Sequence, residues 1–113
     1  MDQIMVYMTA PDLKCARTIS QALVKERLVA CVNILPHMES IYWWNESIHN
    51  ESEVVILAKS MHALFPALQD TVLALHPYEV PCIVAWDMAN GHPPFLQWIA
   101  AQVLPWSQTL QKG

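Results

Sequence analysis

The chain has 113 residues, of which 54% are hydrophobic and 14% charged, so it can bury a sizeable core within one domain. Ten acidic and six basic side chains give a formal net charge of -4, and six scattered cations cannot form the basic surface that binds a nucleic-acid duplex. The two glycines, Gly91 and Gly113, exclude glycine-rich phosphate loops, the dinucleotide-binding fingerprint and the nucleophile elbow, because each needs clustered glycines.

The sequence shows no targeting or membrane segment. No apolar run approaches the roughly 18 residues of a membrane span, and the N-terminus lacks the cationic start of a secretory signal. Cys15, Cys31 and Cys82 are odd in number and widely spaced, which suits free thiols in a reducing compartment. We therefore expect a cytoplasmic protein with no membrane partner, and a single domain over residues 1–113.

Two elements are predicted before residue 30. Gln3 to Met8 is short and rich in β-branched and aromatic residues, which is typical of a buried strand. Ala10-Pro11-Asp12 interrupts this pattern, and the Asp12 side chain is suited to cap a helix that reaches about Val29. The apolar side of this helix is formed by Leu13, Ala16, Ile19, Ala22 and Leu23.

A long hairpin follows the first helix. Cys31 to Trp44 and Ile48 to Ser60 are extended runs on either side of Asn45-Glu46-Ser47, where Asn45 tolerates the left-handed backbone of a turn without glycine. Pro36 lacks a backbone N–H, so it must lie at a bulge or on an edge of its strand.

Two helices and a strand complete the pattern. They are a helix from about His62 to Leu75, a strand from Val80 to Trp86, and a helix that begins at Pro93-Pro94 and ends at Pro105. This order predicts an α+β fold, a ferredoxin-like βαββαβ sandwich with a protruding hairpin and an extra C-terminal helix. The apolar positions of these helices are Leu64, Leu68, Val72 and Leu75, and then Leu96, Ile99, Ala100, Val103 and Leu104.

The length of the hairpin indicates an oligomer. A strand of about 13 residues spans about 43 Å, whereas a compact domain of this size is roughly 35 Å across. Near the tip, Ile41, Tyr42, Trp43 and Trp44 alternate between the two faces, so both faces are apolar or aromatic. The hairpin either coils back onto its own subunit or, as we favour, docks on neighbouring subunits and pairs with their sheets.

No local metal motif is present among the histidines and cysteines. Met5 and Met8 are an odd number apart on a predicted strand, so we expect core packing, with Met8 alone retained as a ligand candidate.

His76 ends a helix beside Tyr78 and Glu79, in a segment stiffened by prolines. That segment is either a rigid connection, a ligand or metal site at His76, or an acid–base pair of His76 and Glu79 without a visible nucleophile.

A second group of polar residues belongs to the hairpin. Glu53 and Lys59 are an even number apart and share a face, which favours solvation or an interface ion pair over catalysis. Asn33, Ser40 and Tyr42 are candidates for the same polar patch.

Together, these segments resemble the CutA divalent-ion tolerance proteins from about Ile4 to Leu104. The matching stretches keep the family's order along the chain. They are Thr9-Ala10-Pro11-Asp12, Leu28-Val29-Ala30-Cys31-Val32-Asn33-Ile34, Glu39-Ser40-Ile41-Tyr42-Trp43-Trp44, Glu53-Val54-Val55-Ile56-Leu57-Ala58-Lys59, His76-Pro77-Tyr78-Glu79-Val80-Pro81 and Trp98-Ile99.

The resemblance implies a tight homotrimer in which long hairpins pair with neighbouring sheets, an architecture similar to the PII signalling trimers. It also implies a role in tolerance to copper and other divalent ions, and animal relatives are linked to acetylcholinesterase anchoring. Some bacterial members bind copper through a cysteine and two adjacent histidines, and Met8, Leu75 and His76 stand at those positions here. Because a thioether suits Cu(I) better than divalent ions, we expect weaker Cu(II) binding here than in members with the full set of ligands.

The leading hypothesis is a non-enzymatic homotrimer that binds copper, another divalent metal ion or a small ligand near its subunit interfaces. The alternative is a PII-like sensor of a small anionic metabolite, and a third hypothesis is an enzyme that uses His76, Tyr78 and Glu79. The metal candidates are His76 and Met8. The ligand or interface candidates are Asn33, Ser40, Tyr42, Trp44, Glu53, Lys59, Tyr78 and Glu79.

Overall fold

The computed structural model describes residues 2–105, in which four strands form one sheet. Residue 1 and residues 106–113 of the predicted domain lie outside the described part. The elements are β1 Gln3–Ala10, α1 Leu13–Lys25, β2 Cys31–Trp44, β3 Ser47–Met61, α2 Phe65–Leu75, β4 Ile83–Asp87 and α3 Pro93–Gln102, with a short 3₁₀ turn at His62–Leu64 before α2.

The sheet order is β2-β3-β1-β4, and every neighbouring pair is antiparallel. β1 and β2 are therefore parallel to each other and separated by β3, while β3 and β4 are parallel and separated by β1. This is the split βαβ arrangement. The predicted α+β fold with a four-stranded antiparallel sheet is confirmed.

One face of the sheet forms the core against the helices. Alternate residues of β1, namely Ile4, Val6, Met8 and Ala10, are at most 2% exposed. Met5 lies on the opposite face and is half-buried, so the predicted separation of the two methionines is confirmed. Across residues 2–105, no helix has both the length and the apolar character needed to span a bilayer.

The first helix begins as predicted and ends earlier than predicted. The Asp12 carboxylate accepts a hydrogen bond from the backbone N–H of Cys15 at 2.8 Å, which caps α1. Instead of continuing to Val29, α1 ends at Lys25 because Arg27 adopts a left-handed backbone with φ 56°. The N–H of Leu28 then donates to the carbonyl of residue 23 at 3.0 Å, which is a Schellman-type ending without glycine.

Three later boundaries also differ from the prediction. The helix predicted from His62 begins with the 3₁₀ turn, and the exposed Leu75 is not part of its buried stripe. β4 begins at Ile83 instead of Val80, in a segment where Pro81 has no N–H to donate to a neighbouring strand. α3 ends at residue 102, although Val103 and Leu104 still pack at the core and Ala100 is exposed.

The hairpin has the predicted β2 bounds and a bulge at the predicted proline. Leu35 pairs with Val55 and Met38 pairs with Glu53, so β2 contains one residue more than β3 across Pro36. The extra residue shifts the alternation of side chains. Beyond the bulge the even-numbered residues of β2 lie on the sheet face that the helices leave open.

The hairpin tip is not covered by residues 2–105 of its own chain. The described residues extend 44 Å along the longest axis, and Trp43 is 71% exposed on the helix side of the hairpin. Trp44, on the other side, is 39% exposed. The expectation that both faces near the tip are apolar and unburied in a single chain is confirmed, and the coiled-back alternative is not observed.

Candidate functional site

A groove of about 610 Å³ lies on the open face, between the hairpin and the connection from α2 to β4. We call it the hairpin groove. β2 and β3 supply one wall, and residues 78–82 supply another. Six of the predicted ligand or interface candidates line it: Ser40, Tyr42, Trp44, Glu53, Tyr78 and Glu79.

Glu53 is the most deeply placed ionisable group of the groove. It is only 7% exposed, and its Oε2 accepts a hydrogen bond from the hydroxyl of Tyr78 at 3.1 Å. Its Oε1 has no hydrogen-bond partner among the described residues. A buried carboxylate with one hydrogen bond retains acceptor capacity for a donor that enters the groove.

His76 holds Tyr78 in place from behind the groove. Its Nε2 donates to the backbone carbonyl of Thr9 at 2.7 Å, and its Nδ1 accepts from the backbone N–H of Tyr78 at 3.1 Å. Because a carbonyl only accepts and an amide N–H only donates, these partners select the neutral tautomer protonated at Nε2. The rings of His76 and Tyr78 are 4.8 Å apart.

The acidity of the groove residues is altered by burial and by negative charge. Burial, with the hydrogen bond to Glu53, raises the pKa of Tyr78 from 10.0 to about 12. Burial also raises the pKa of Tyr7, Tyr42 and Cys82, and the negative charge of Glu53 adds to each of these shifts. The groove therefore keeps its hydroxyl and thiol groups protonated, as donors.

The outer end of the groove is aromatic. The ring of Tyr42 stacks on that of His49 with centroids 5.6 Å apart and an interplanar angle of 16°. His49 also lies 3.2 Å from the hydroxyl of Ser47 and 3.9 Å from a carboxylate oxygen of Glu51. Trp44 lines the same end of the groove.

Asn33 and Lys59 form a separate pair at the inner end of the hairpin. The Lys59 Nζ donates to Oδ1 of Asn33 at 2.6 Å, and neither residue lines the groove. The predicted sharing of a face by Glu53 and Lys59 holds along β3. The predicted polar patch of the hairpin is split into two separate pairs, because Lys59 donates to Asn33 while Glu53 accepts from Tyr78.

The two predicted metal ligands are in closed positions within the chain. Met8 is fully buried in the core, and both ring nitrogens of His76 take part in hydrogen bonds. Among residues 2–105, no three histidine, cysteine, aspartate or glutamate side chains are grouped so that they could hold a metal ion. Metal binding at Met8 and His76 stays a prediction.

Sequence reasoning did not find every residue of the groove. The alternation along β1 could have assigned two of them to the open face, whereas those on the α2–β4 connection follow no periodic pattern. His49 was considered only as a metal ligand. The residues that were missed are Tyr7, Thr9, Ile41, His49, Val80 and Cys82.

The sequence profile of the CutA1 divalent ion tolerance protein family matches residues 4–102. A divalent-cation tolerance protein CutA from Thermus thermophilus is 47% identical over 94 residues, which cover 83% of this chain and 91% of that protein. The mouse protein CutA is 42% identical over 93 residues, or 82% of this chain. The chain spans about half of that mammalian relative, 52% of its length.

Solved structures show the same likeness. A Cut A1 divalent cation tolerance protein structure from Thermus thermophilus superposes with a TM-score of 0.87 at 44% identity, covering 89% of this chain and 98% of the other. A CutA1 structure from Oryza sativa gives a TM-score of 0.89 at 32% identity, covering 92% and 95% of the two chains.

Proposed function

Because the chain belongs to the CutA1 divalent ion tolerance protein family, we propose that it acts in tolerance to divalent cations as a cytoplasmic, non-enzymatic homotrimer. In this proposal it binds copper, another metal ion or a small ligand near the subunit interfaces. The free thiols of Cys15, Cys31 and Cys82 suit a reducing compartment.

The observation that carries the proposal is the uncovered hairpin tip. Ile41, Trp43 and Ile48 are 65%, 71% and 63% exposed on one face, although burying a side chain of this kind stabilises a protein by about 1.5–3 kcal/mol. Such a contiguous apolar surface is typical of a protein–protein interface. Copies of the same chain can cover each other's tips and close into a ring of three.

A subunit interface at the hairpin tip would also bring a neighbouring subunit close to the hairpin groove. The groove is bounded by the same hairpin, so a neighbour that docks on the tip comes close to Tyr42, Trp44 and Glu53. A ligand bound there would contact two subunits, which supports placing the ligand site near an interface. Copper at His76 and Met8 would first have to displace the hydrogen bond from Tyr78 to Nδ1.

The proposal is tested by light scattering and metal titration of the purified chain. We expect a particle of three times 12.9 kDa that remains assembled at micromolar concentration. A stable monomer would contradict the trimer. Titration with Cu(I), Cu(II) and Zn(II) should give binding that His76→Ala weakens, and tight Cu(II) binding that survives this substitution would contradict the site at His76.

A further inference from the structure

Glu53 has no counter-ion among the described residues of its own chain. The residue is only 7% exposed, and its carboxylate forms no ion pair with a described residue. Its one hydrogen bond, from Tyr78, leaves Oε1 without a partner among the described residues, in a side chain that lines the groove. A buried carboxylate in this state is costly unless a cation or further donors compensate it.

The groove also has the wrong charge for an anionic ligand. Among the described residues, no lysine or arginine lines it, whereas Glu53 and Glu79 both do. Lys59, which a bound anion could have used, is 2.6 Å from Asn33 and lies outside the groove. Burial is the main cause of the raised pKa values of Tyr7, Tyr42, Tyr78 and Cys82, and the negative charge of Glu53 contributes to each of these shifts.

The surroundings of Glu53 suit an organic cation better than a bare metal ion. Rings of Tyr42, Trp44 and Tyr78 line the groove, and aromatic faces attract ammonium groups. A divalent metal ion needs several anionic or imidazole ligands, and residues 2–105 hold no group of three that could supply them. The groove volume of about 610 Å³ lies in the range of small-molecule sites.

We propose that the hairpin groove binds a small organic amine, whose ammonium group donates to Oε1 of Glu53 while its apolar part lies against Tyr42 and Trp44. The inference rests on the proposed function for a ligand near the interface and adds the chemical class of that ligand. The hydroxyl of Tyr78 holds Oε2, which leaves Oε1 of this groove-lining side chain to accept from the ligand.

The test uses three probes of similar shape and different charge: phenethylamine, 2-phenylethanol and phenylacetate. Binding to the full chain is followed by calorimetry and by the fluorescence of the tryptophans. We expect phenethylamine to bind and to raise the melting temperature, with the neutral alcohol and the anion at least about tenfold weaker.

Two variants examine the carboxylate. Glu53→Gln keeps an acceptor for Tyr78 and removes the charge, so it should weaken phenethylamine binding by about tenfold or more. Glu39→Gln is the matched control, because Glu39 is exposed and lies on the opposite face of β2. Tyr42→Leu, which leaves Glu53 in place, should also weaken the amine, so the proposal does not depend on one variant.

Three results would overturn the proposal. They are binding of phenethylamine to Glu53→Gln as tightly as to the unchanged chain, tighter binding of phenylacetate than of phenethylamine, and no binding of phenethylamine at millimolar concentration. Light scattering of every sample separates this result from the proposed assembly. A trimer without amine binding contradicts only the inference, whereas amine binding to a monomer contradicts only the trimer.

Discussion

Two buried serines in this protein differ in their hydrogen bonding. Ser60 is fully buried, and its hydroxyl donates to the carbonyl of Leu28 at 2.6 Å. Ser20 is 6% exposed in the middle of α1, and its hydroxyl has no partner among the described residues. A buried hydroxyl without a partner costs free energy that a methyl group does not.

We expect Ser20→Ala to raise the free energy of unfolding by about 1 kcal/mol, since it removes an unpaired hydroxyl and favours the helix. The same substitution at Ser60 is the control and should lower it by about 1–2 kcal/mol, because the carbonyl of Leu28 loses a donor. Urea unfolding measures both. A loss of stability in both variants would show that Ser20 is paired.

Tyr78 gives the stability of the protein a dependence on alkaline pH. Its pKa is raised from 10.0 to about 12 in the folded state, so the folded state holds its proton more tightly than the unfolded state. The resulting contribution of Tyr78 to the free energy of unfolding is complete below pH 10 and is lost as the pH rises from 10 through 12. Tyr78→Phe should therefore show a shallower fall of the melting temperature over that window than the unchanged chain, and parallel curves would contradict the assignment.

The sheet face of a site residue was predictable where the alternation of side chains along a strand determines it. Alternation along a strand placed Glu53 and Lys59 on one face, but it gave no information on their partners. The bond from Tyr78 to Glu53 joins positions 25 residues apart and depends on His76 fixing the connecting segment. No local pattern encodes such a contact.

At the level of elements, the hairpin turn places two consecutive residues in the left-handed backbone region. Asn45 and Glu46 both have positive φ, 48° and 64°, between the paired residues Trp44 and Ser47. This is a two-residue turn of the I′ kind, for which glycine is preferred at the second position. Asparagine tolerates the conformation, whereas glutamate adopts it at a cost.

We expect Glu46→Gly to stabilise the protein by about 0.5–1 kcal/mol, the relief of strain exceeding the added flexibility of the unfolded chain. Glu46→Val should act in the opposite direction, because a β-branched residue is the least tolerant of positive φ. Thermal unfolding at fixed protein concentration compares the three chains. A lower melting temperature for Glu46→Gly would contradict the proposed backbone strain at Glu46.

Element types were predictable from the sequence, and several boundaries were not. The strands and helices follow the period-2 and period-3.6 patterns of apolar residues. The end of α1 was missed because Arg27 takes a left-handed conformation that sequence rules assign to glycine. β4 was predicted too long because Val80 and Cys82 look like strand residues, although they belong to the wall of the groove.

At the level of the whole molecule, the exposed tip should govern assembly. Trp43→Ser removes a side chain that is 71% exposed in the single chain, so it should affect the subunit little and weaken contacts between subunits. We expect a lower mass by light scattering and a melting temperature that falls on dilution. Leu73→Ser, at a 49% exposed position of α2, is the control, and equal masses for both variants would contradict the role of the tip.

The bulge at Pro36 has a consequence for how the surface of this protein can vary. Pairing beyond it runs one residue out of step with pairing before it. Deleting a single residue there would leave a regular ribbon in which Leu35 and Met38 still share a face, so Trp43 would stay opposite Ile48 and Trp44 opposite Ser47. The extra residue therefore sets how sharply the outer hairpin bends and twists away from the subunit, whereas pairing with β3 decides which aromatic rings border the groove and which meet a neighbouring copy.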